Sequence, residues 1–519
     1  MGPLKVNDLL LAPELDRQTV ADLLRPYGLR DPVKADANLQ AIAANPAERH
    51  LLSAILQELL DCVSRSADPD QALTYLERFS SAALNKSQLL SYLRSSPQAM
   101  EVLIRCLGGS PYMSEILIRD PQLFYWVSDP GVLHHRRRKR EIQREIIGAA
   151  KALPSEQQRL DYLRSLKRRE MLHIGVRDVL RVCSVEDTWI ALSVLAEALI
   201  SAAYWICASA VRKLYGIKGR RFTEFTVLAM GKLGGGELNF SSDVDLMYLY
   251  SSQDEEIEGV AAADFFRRLS QKLTLGLNNL TAEGYVYRVD LRLRPEGKAG
   301  NLADPFEGYQ RYYKTRLGNW ERLALIKASP VAGDRALGRR FLEMAEGVIY
   351  SGPLSLEAVR DILDMKRKIE GKAAARGHNV RNVKLGTGGI REVELIAQSL
   401  QASHGDRHRN VRERNTLKAL KTLRNAGMLS AQEFETLADA YVFLRDVENK
   451  LQMLHDAQTH SLPAAEEELA VCSRLLGYVT DESAGTDVEQ FLRDYERHTS
   501  GVNAIFRALL GKPDLERLR

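Results

Sequence analysis

Two aspartates separated by one residue, Asp243 and Asp245, follow a glycine-rich stretch, Gly231-Lys232-Leu233-Gly234-Gly235-Gly236. Apolar runs lead into this stretch (Phe225 to Met230) and out of it (Val244 to Tyr250). The pattern reads as strand, glycine-rich turn, and a second strand that opens with two carboxylates. Side chains alternate along a strand, so Asp243 and Asp245 are expected on one face. Neighbouring carboxylates repel unless a cation lies between them, and hard oxygen ligands suit Mg²⁺ with substrate phosphates completing its shell. Glycines let backbone N–H groups approach a phosphate closely, with Gly231, Lys232, Ser241 and Ser242 the candidate contacts. The chemistry indicated is metal-dependent transfer of a nucleotidyl group.

A third acid follows in Tyr285-Val286-Tyr287-Arg288-Val289-Asp290-Leu291-Arg292-Leu293-Arg294-Pro295. Its alternation predicts a strand that Pro295 ends, with Asp290, Arg292 and Arg294 sharing a face. Such a face could be a solvated outer surface. With Asp243 and Asp245 upstream it reads better as a third metal ligand or general base, flanked by two phosphate-binding arginines. Lys327, after an apolar pair, is a further candidate for phosphate contact. A second glycine-rich turn, Lys384-Leu385-Gly386-Thr387-Gly388-Gly389, opens a helix and suggests either an anion site or a tight packing turn.

These residues need a frame, and most of the chain predicts helices. Residues 1 to about 185 read as helices broken at Ser95-Ser96-Pro97, Gly108-Gly109-Ser110-Pro111 and Asp120-Pro121. Val185 to Tyr215 reads as one long apolar helix backing the sheet, and Ala261 to Thr281 as an amphipathic one. From about residue 330 the chain reads as helical to its end, including Glu357 to Glu370, Glu392 to Ala402, Thr416 to Ala426, Ala431 to Asp456 and Asp487 to Leu510. The fold class expected is α+β, mostly helical. Its domains would be a helical region (1–184), a catalytic domain (185–335) and a helical bundle (336–519).

Composition narrows the function classes. A net charge of +4 over 519 residues makes no case for nucleic acid or a membrane surface. The basic run His134-His135-Arg136-Arg137-Arg138-Lys139-Arg140 reads as a solvated helix start, with Glu141 and Glu145 at helical spacing. Five dispersed cysteines without a CxxC pair suggest thiols in a reducing compartment. No apolar run reaches the ~18 residues needed to span a bilayer, and the first residues, Met1 to Lys5, lack a signal-peptide core. A cytoplasmic protein is expected, with no nucleic-acid or membrane partner.

Taken together, Met230-Gly231, Asp243-x-Asp245 and Asp290 resemble the polymerase-beta-type nucleotidyltransferases, with Lys232 standing where many members carry Gly or Ser. Within that group the longer run Gly231 to Leu246 is similar to the glutamine-synthetase adenylyltransferase family. So are Val289 to Pro295, Trp320-Glu321-Arg322, Lys384 to Glu394, Arg445 to Gln452 and Gln458 to Pro463. The resemblance implies a small mixed sheet with helices, Mg²⁺ held by Asp243, Asp245 and Asp290, and ATP, ADP or phosphate as substrates. It implies glutamine synthetase as target, with AMP added to a tyrosine or removed from it by phosphorolysis to ADP, and a PII-type signal protein as a possible partner. A related signal-protein uridylyltransferase or a non-catalytic regulatory half are the rival readings. The family usually has two catalytic halves; this chain has length for one and no second copy of the Asp-x-Asp motif in its glycine-rich setting, so a separate chain could carry the other. The Lys-Leu-Gly-x-Gly-Gly-Ile-Arg-Glu turn favours the deadenylylating half.

Overall fold

The computed structural model describes residues 4–12, 15–218, 225–252, 256–375, 381–455 and 457–511. Met1 to Pro3, Asp456 and the last eight positions, on which some of the expectations above fall, lie outside them. The protein is α+β and mostly helical, with a small mixed sheet of five strands and, among the described residues, a two-stranded antiparallel ribbon of Glu256–Ile257 and Val260–Ala261. It divides into two compact units: one built from 1–136, 168–184 and 449–493, the other from 137–167, 185–448 and 494–519.

The first unit is an array of short helices whose starts are written in the sequence. Asp31, Asn45, Asp68, Ser96 and Ser110 each precede a proline, and each side chain accepts a backbone N–H of the first turn. Proline supplies the helical φ where its missing N–H costs nothing, and each polar cap is worth about 1 kcal/mol. The Ser110 hydroxyl also donates to the Met453 carbonyl at 2.8 Å, tying this array to the distant segment that completes the unit. A buried pair between Lys450 and Asp178 does the same.

The second unit is organised on the sheet. Strands β1 (Phe225–Ala229) and β2 (Val244–Tyr250) pair antiparallel. Two short strands, β3 (Val289–Asp290) and β4 (Ala303–Pro305), run parallel to β2, and β5 (Ser329–Gly333) pairs antiparallel with β1. All five residues of β1 are buried, as a central strand covered on both faces requires. Helices α1 (Val185–Tyr215) and α2 (Ala262–Asn278) cover one face. Phe225 stacks on Tyr204 of α1 at 5.7 Å and on Phe266 of α2 at 5.4 Å, and Phe266 stacks on Tyr250 at 5.1 Å. Each such ring contributes about 2–3 kcal/mol through burial. On the other side, Tyr309 donates its hydroxyl to the Tyr248 carbonyl and packs edge-on against Phe341.

Helix α1 begins and ends where the apolar pattern places it, but it corrects one expectation. Its 31 residues are long and apolar enough to cross a bilayer by length and composition, although 67% of the relevant window is buried inside the protein. Scattered small polar residues such as Ser193, Ser201 and Ser209 break up the apolar run without raising its charge. The expected long strand through Arg294 is also corrected: only Val289 and Asp290 pair. The Asp290 carboxylate accepts the Arg292 N–H at 2.8 Å, and this local bond turns the chain before the ladder can continue.

Candidate active site

Register brings two of the aspartates together. Asp245 of β2 and Asp290 of β3 are direct partners across the parallel pair, and Asp243 stands just before β2. The turn after β1 completes the group. Gly231 begins a four-residue helical turn with φ 53°, a conformation suited to glycine, and a Cβ there would lie 2.6 Å from Asp245 Oδ2. The Asp245 carboxylate thus leans over a backbone position that only glycine leaves open.

Electrostatics separate the three acids. Burial first, then the neighbouring Asp290 and Asp243 carboxylates, push the Asp245 carboxyl up to about 6, against the opposing charges of Lys384 and Arg292. Burial also pushes Asp290 up, but the Arg292 guanidinium and backbone N–H outweigh it and hold that carboxyl below its usual range. Arg292 Nε lies 2.7 Å from Asp290 Oδ2 and 3.0 Å from Oδ1. Asp243 is held by Arg288, whose Nε lies 2.6 Å from Oδ1 and which also donates to the Ser241 carbonyl at 2.7 Å. Among the described residues, no three His, Cys, Asp or Glu side chains converge as a metal-binding group. The donor set is nonetheless the kind a hard divalent ion takes: two carboxylates in register on a strand pair and a third just before it, one of them pushed up by burial and its neighbours and set over an open glycine.

The other residues expected to contact phosphate engage protein partners in this structure. Arg294 folds onto its own loop, donating to the carbonyls of Leu291 at 2.8 Å and Gly300 at 3.1 Å. Ser242 accepts the Asn239 N–H in the turn before Asp243. Lys232 and Lys327 are buried in ionic networks. Lys232 Nζ meets both oxygens of the fully buried Glu448 at 2.7 and 2.6 Å. Burial pushes this ammonium down to about 7; Glu448 opposes the shift, while Arg445 and Lys384 reinforce it. Lys327 Nζ lies 2.6 Å from Glu237, 2.9 Å from the Thr416 hydroxyl and 3.6 Å from Glu394.

Sequence reasoning undervalued the residues that fix these networks. Glu448 also accepts the Asn239 amide at 2.6 Å. Arg445, wholly buried, donates to the Glu237 carbonyl and the Asn239 side chain and lies over the Trp189 ring at 4.5 Å. Helix α3 (Ala431–His455) therefore reaches back some two hundred residues to clamp the stretch that leads into Asp243. Two signals were available: the resemblance carried by Arg445 to Gln452, and charge at Arg445 and Glu448, three residues apart on a helix. Arg288 was visible only as one more residue of the alternating segment.

Comparison with known proteins follows this geometry. Residues 100–344 match the family model for glutamate-ammonia ligase adenylyltransferase, and residues 363–510 match that for GlnD PII-uridylyltransferase. By name both are nucleotidyltransferase families. Over residues 100–344 the chain is similar to the glutamate-ammonia ligase adenylyltransferase family. It is similar to the bifunctional glutamine synthetase adenylyltransferase/adenylyl-removing enzyme of Pseudomonas putida, 34% identical over 86% of this chain and 45% of that protein. The enzyme of the same name from Thioalkalivibrio sulfidiphilus is 36% identical over 88% of this chain and 46% of that protein. That from Xanthomonas campestris is 42% identical over 58% of this chain and 33% of that protein. The chain spans about half the length of the curated relatives it matches.

Proposed function

We propose that this chain is a Mg²⁺-dependent nucleotidyltransferase that acts on glutamine synthetase, adding AMP to or removing AMP from a tyrosine, with removal the preferred direction. The observation that carries the reading is the register of Asp245 against Asp290, with Asp243 two residues away and Gly231 open beneath. Asp243, Asp245 and Asp290 are the residues that would hold Mg²⁺, which would neutralise charge on the phosphates. Such a ligand set requires Arg288 and Arg292 to yield part of their hold, after which both remain beside the site as donors for phosphate oxygens.

In removal, an oxygen of inorganic phosphate attacks the phosphorus of AMP-tyrosine. The new P–O bond gives ADP, and the bond to the tyrosyl oxygen breaks, leaving tyrosine to take up a proton. In addition, the tyrosine hydroxyl attacks the α-phosphorus of ATP, pyrophosphate leaves, and the hydroxyl proton is lost. The Arg292 clamp keeps Asp290 ionised and weakly basic, so its part is to bind rather than to take that proton. Asp245, with the raised carboxyl, is a stronger base than Asp290.

The relatives' names support glutamine synthetase as target, and the similarity of residues 363–510 to a PII-uridylyltransferase family supports a PII-type protein as regulator. The preferred direction rests on the Lys384 to Glu394 turn. Incubation with adenylylated glutamine synthetase and phosphate, beside unmodified enzyme and ATP, tests it. ADP release exceeding AMP incorporation is expected; incorporation alone would reverse the direction.

A further inference from the structure

Helix α2 buries one side and leaves another open. Phe265, Phe266, Leu269, Leu273 and Leu277 are buried, while Arg268 and Leu275 are exposed and Lys272 is half-buried. The last three stand at i, i+4 and i+7, so they form a stripe along the helix. Two hollows follow this stripe. The larger, about 940 Å³, lies between α2, the C-terminal turns of α1 and the segment 154–159. The smaller, about 390 Å³, lies between α2 and Leu302, the residue before β4. Arg268 and Lys272 line both hollows, which therefore make one groove within the second unit.

The groove is apolar below and cationic at its rim. Leu214 is 64% exposed and Leu275 56% exposed. Around them stand four cations, Arg159, Lys213, Arg268 and Lys272, against one carboxylate, Glu156, which lies 2.8 Å from Lys272. Arg159 Nε donates to the Leu153 carbonyl at 2.8 Å, a bond that fixes the side chain without neutralising it. Lys213 and Arg268 have no carboxylate within ion-pair distance among the described residues. This local excess stands out in a chain that carries a net charge of only +4 over 519 residues. A ligand that supplies both carboxylates and apolar side chains would relieve the repulsion and cover the leucines together. A small anion would meet the cations and leave Leu214 and Leu275 in water. The stripe from Arg268 to Leu275 is about 10 Å long, the length of two turns of a docked helix or three residues of extended chain.

The groove shares its helix with a residue that positions the carboxylate site. Asn278 Oδ1, three residues beyond Leu275, accepts the Val289 N–H at 2.9 Å, and Val289 precedes Asp290 in β3. Three residues are about 4.5 Å of helix. Leu302, at the edge of the smaller hollow, stands at the end of the loop that follows Asp290.

We infer that this groove docks an acidic segment, with apolar side chains among its carboxylates, of the protein that bears the modified tyrosine. The inference rests on the function proposed above and adds to it a recognition surface outside the carboxylate site. Lys213 and Arg268 draw the segment in, Leu214 and Leu275 receive its apolar side chains, and the tyrosine is held near Asp290. Binding of this kind lowers KM for the protein substrate and leaves kcat alone.

The test is steady-state AMP removal from adenylylated glutamine synthetase, with surface plasmon resonance of the same pair. It compares the full chain with the double variant Lys213→Glu, Arg268→Glu, with Leu275→Asp and with Arg268→Lys. Reversing two rim charges should raise the KM and the Kd for adenylylated glutamine synthetase about tenfold or more, with kcat and the KM for phosphate within about twofold. Leu275→Asp should raise the same KM, and Arg268→Lys should stay near wild type. The gap between wild type and the double variant should narrow as salt is raised. An unmoved KM for glutamine synthetase in both the double variant and Leu275→Asp, or a fall in kcat alone, overturns the docking site and leaves the proposed function standing. Binding to phosphatidylglycerol vesicles that the double variant loses, with that KM unmoved, overturns it in favour of a lipid surface. Wild-type protein that neither binds nor modifies glutamine synthetase overturns both.

Discussion

Asp245 and Asp290 are register partners on neighbouring parallel strands, yet their carboxyls are held in opposite electrostatic states. Arg292 grips Asp290, whereas Asp245 has burial and two like charges against it. The site stores repulsion at one residue, and a cation with bound phosphate would relieve it.

Removing that charge should stabilise the fold. A carboxyl raised from its ordinary value favours the native state only while protonated, so its contribution is present below pH 4 and lost as pH rises through about 6. Asp245→Asn should therefore be more stable than wild type by about 1–3 kcal/mol at pH 7–8 in chelator-treated buffer, with the gap closing near pH 4. Urea melts at both pH values check this. The same variant should lose about 10³-fold or more of the transfer activity.

Asp245 also sets an acid limit on activity. With Mg²⁺ limiting, transfer should fall as pH drops toward about 6, where in the metal-free protein this carboxyl takes up its proton and competes with the ion. Arg292→Ala would remove the main influence lowering Asp290, so a second carboxyl should then titrate higher and the limb should shift upward. A rate–pH profile measured for both proteins tests this; an unmoved limb would show that Asp290 does not contribute to it.

Gly231→Ala places a methyl group 2.6 Å from Asp245 Oδ2 at a φ of 53°. Strain there costs about 1–2 kcal/mol of stability, but the displaced carboxylate should cost roughly 100-fold in activity. Thermal melting and initial rates separate the two effects. Activity within about threefold of wild type would mean that the carboxylate's position over Gly231 is unimportant.

The Lys232–Glu448 pair is a scaffold device. Glu448→Gln leaves a buried ammonium uncompensated and should destabilise by about 3 kcal/mol, whereas Lys232→Met with Glu448→Leu should cost much less. Denaturant melts of the single and double variants measure the difference. Equal losses would place the value of Glu448 in its bond to Asn239 instead.

Much of the frame was legible in the chain because local chemistry dictated it. Helix α1 was readable from its long apolar run, and boundaries among the first-unit helices from the breaks at Ser95-Ser96-Pro97 and Gly108-Gly109-Ser110-Pro111. Asp243, Asp245, Asp290 and Gly231 were readable because their spacing reflects strand alternation and a glycine turn. The length of β3 was not, since an aspartate side chain taking a backbone N–H competes with strand pairing without altering the apolar pattern. Nor were the fates of Lys232, Lys327 and Arg294. Whether a lysine faces a phosphate or a buried glutamate depends on partners about 90 to 216 residues away. Arg288 illustrates the same limit: its place in the sequence says nothing of the carboxylate it grips 45 residues earlier.

The most direct measurement of the central claim is ADP release from adenylylated glutamine synthetase in Mg²⁺ and inorganic phosphate, comparing the wild-type chain with Asp245→Asn. The carboxylate site predicts ADP formed in step with unmodified tyrosine by the wild type, and about a thousandth of that rate or less from the variant. Near-equal rates, or no nucleotide transfer by the wild type in either direction, would contradict the account.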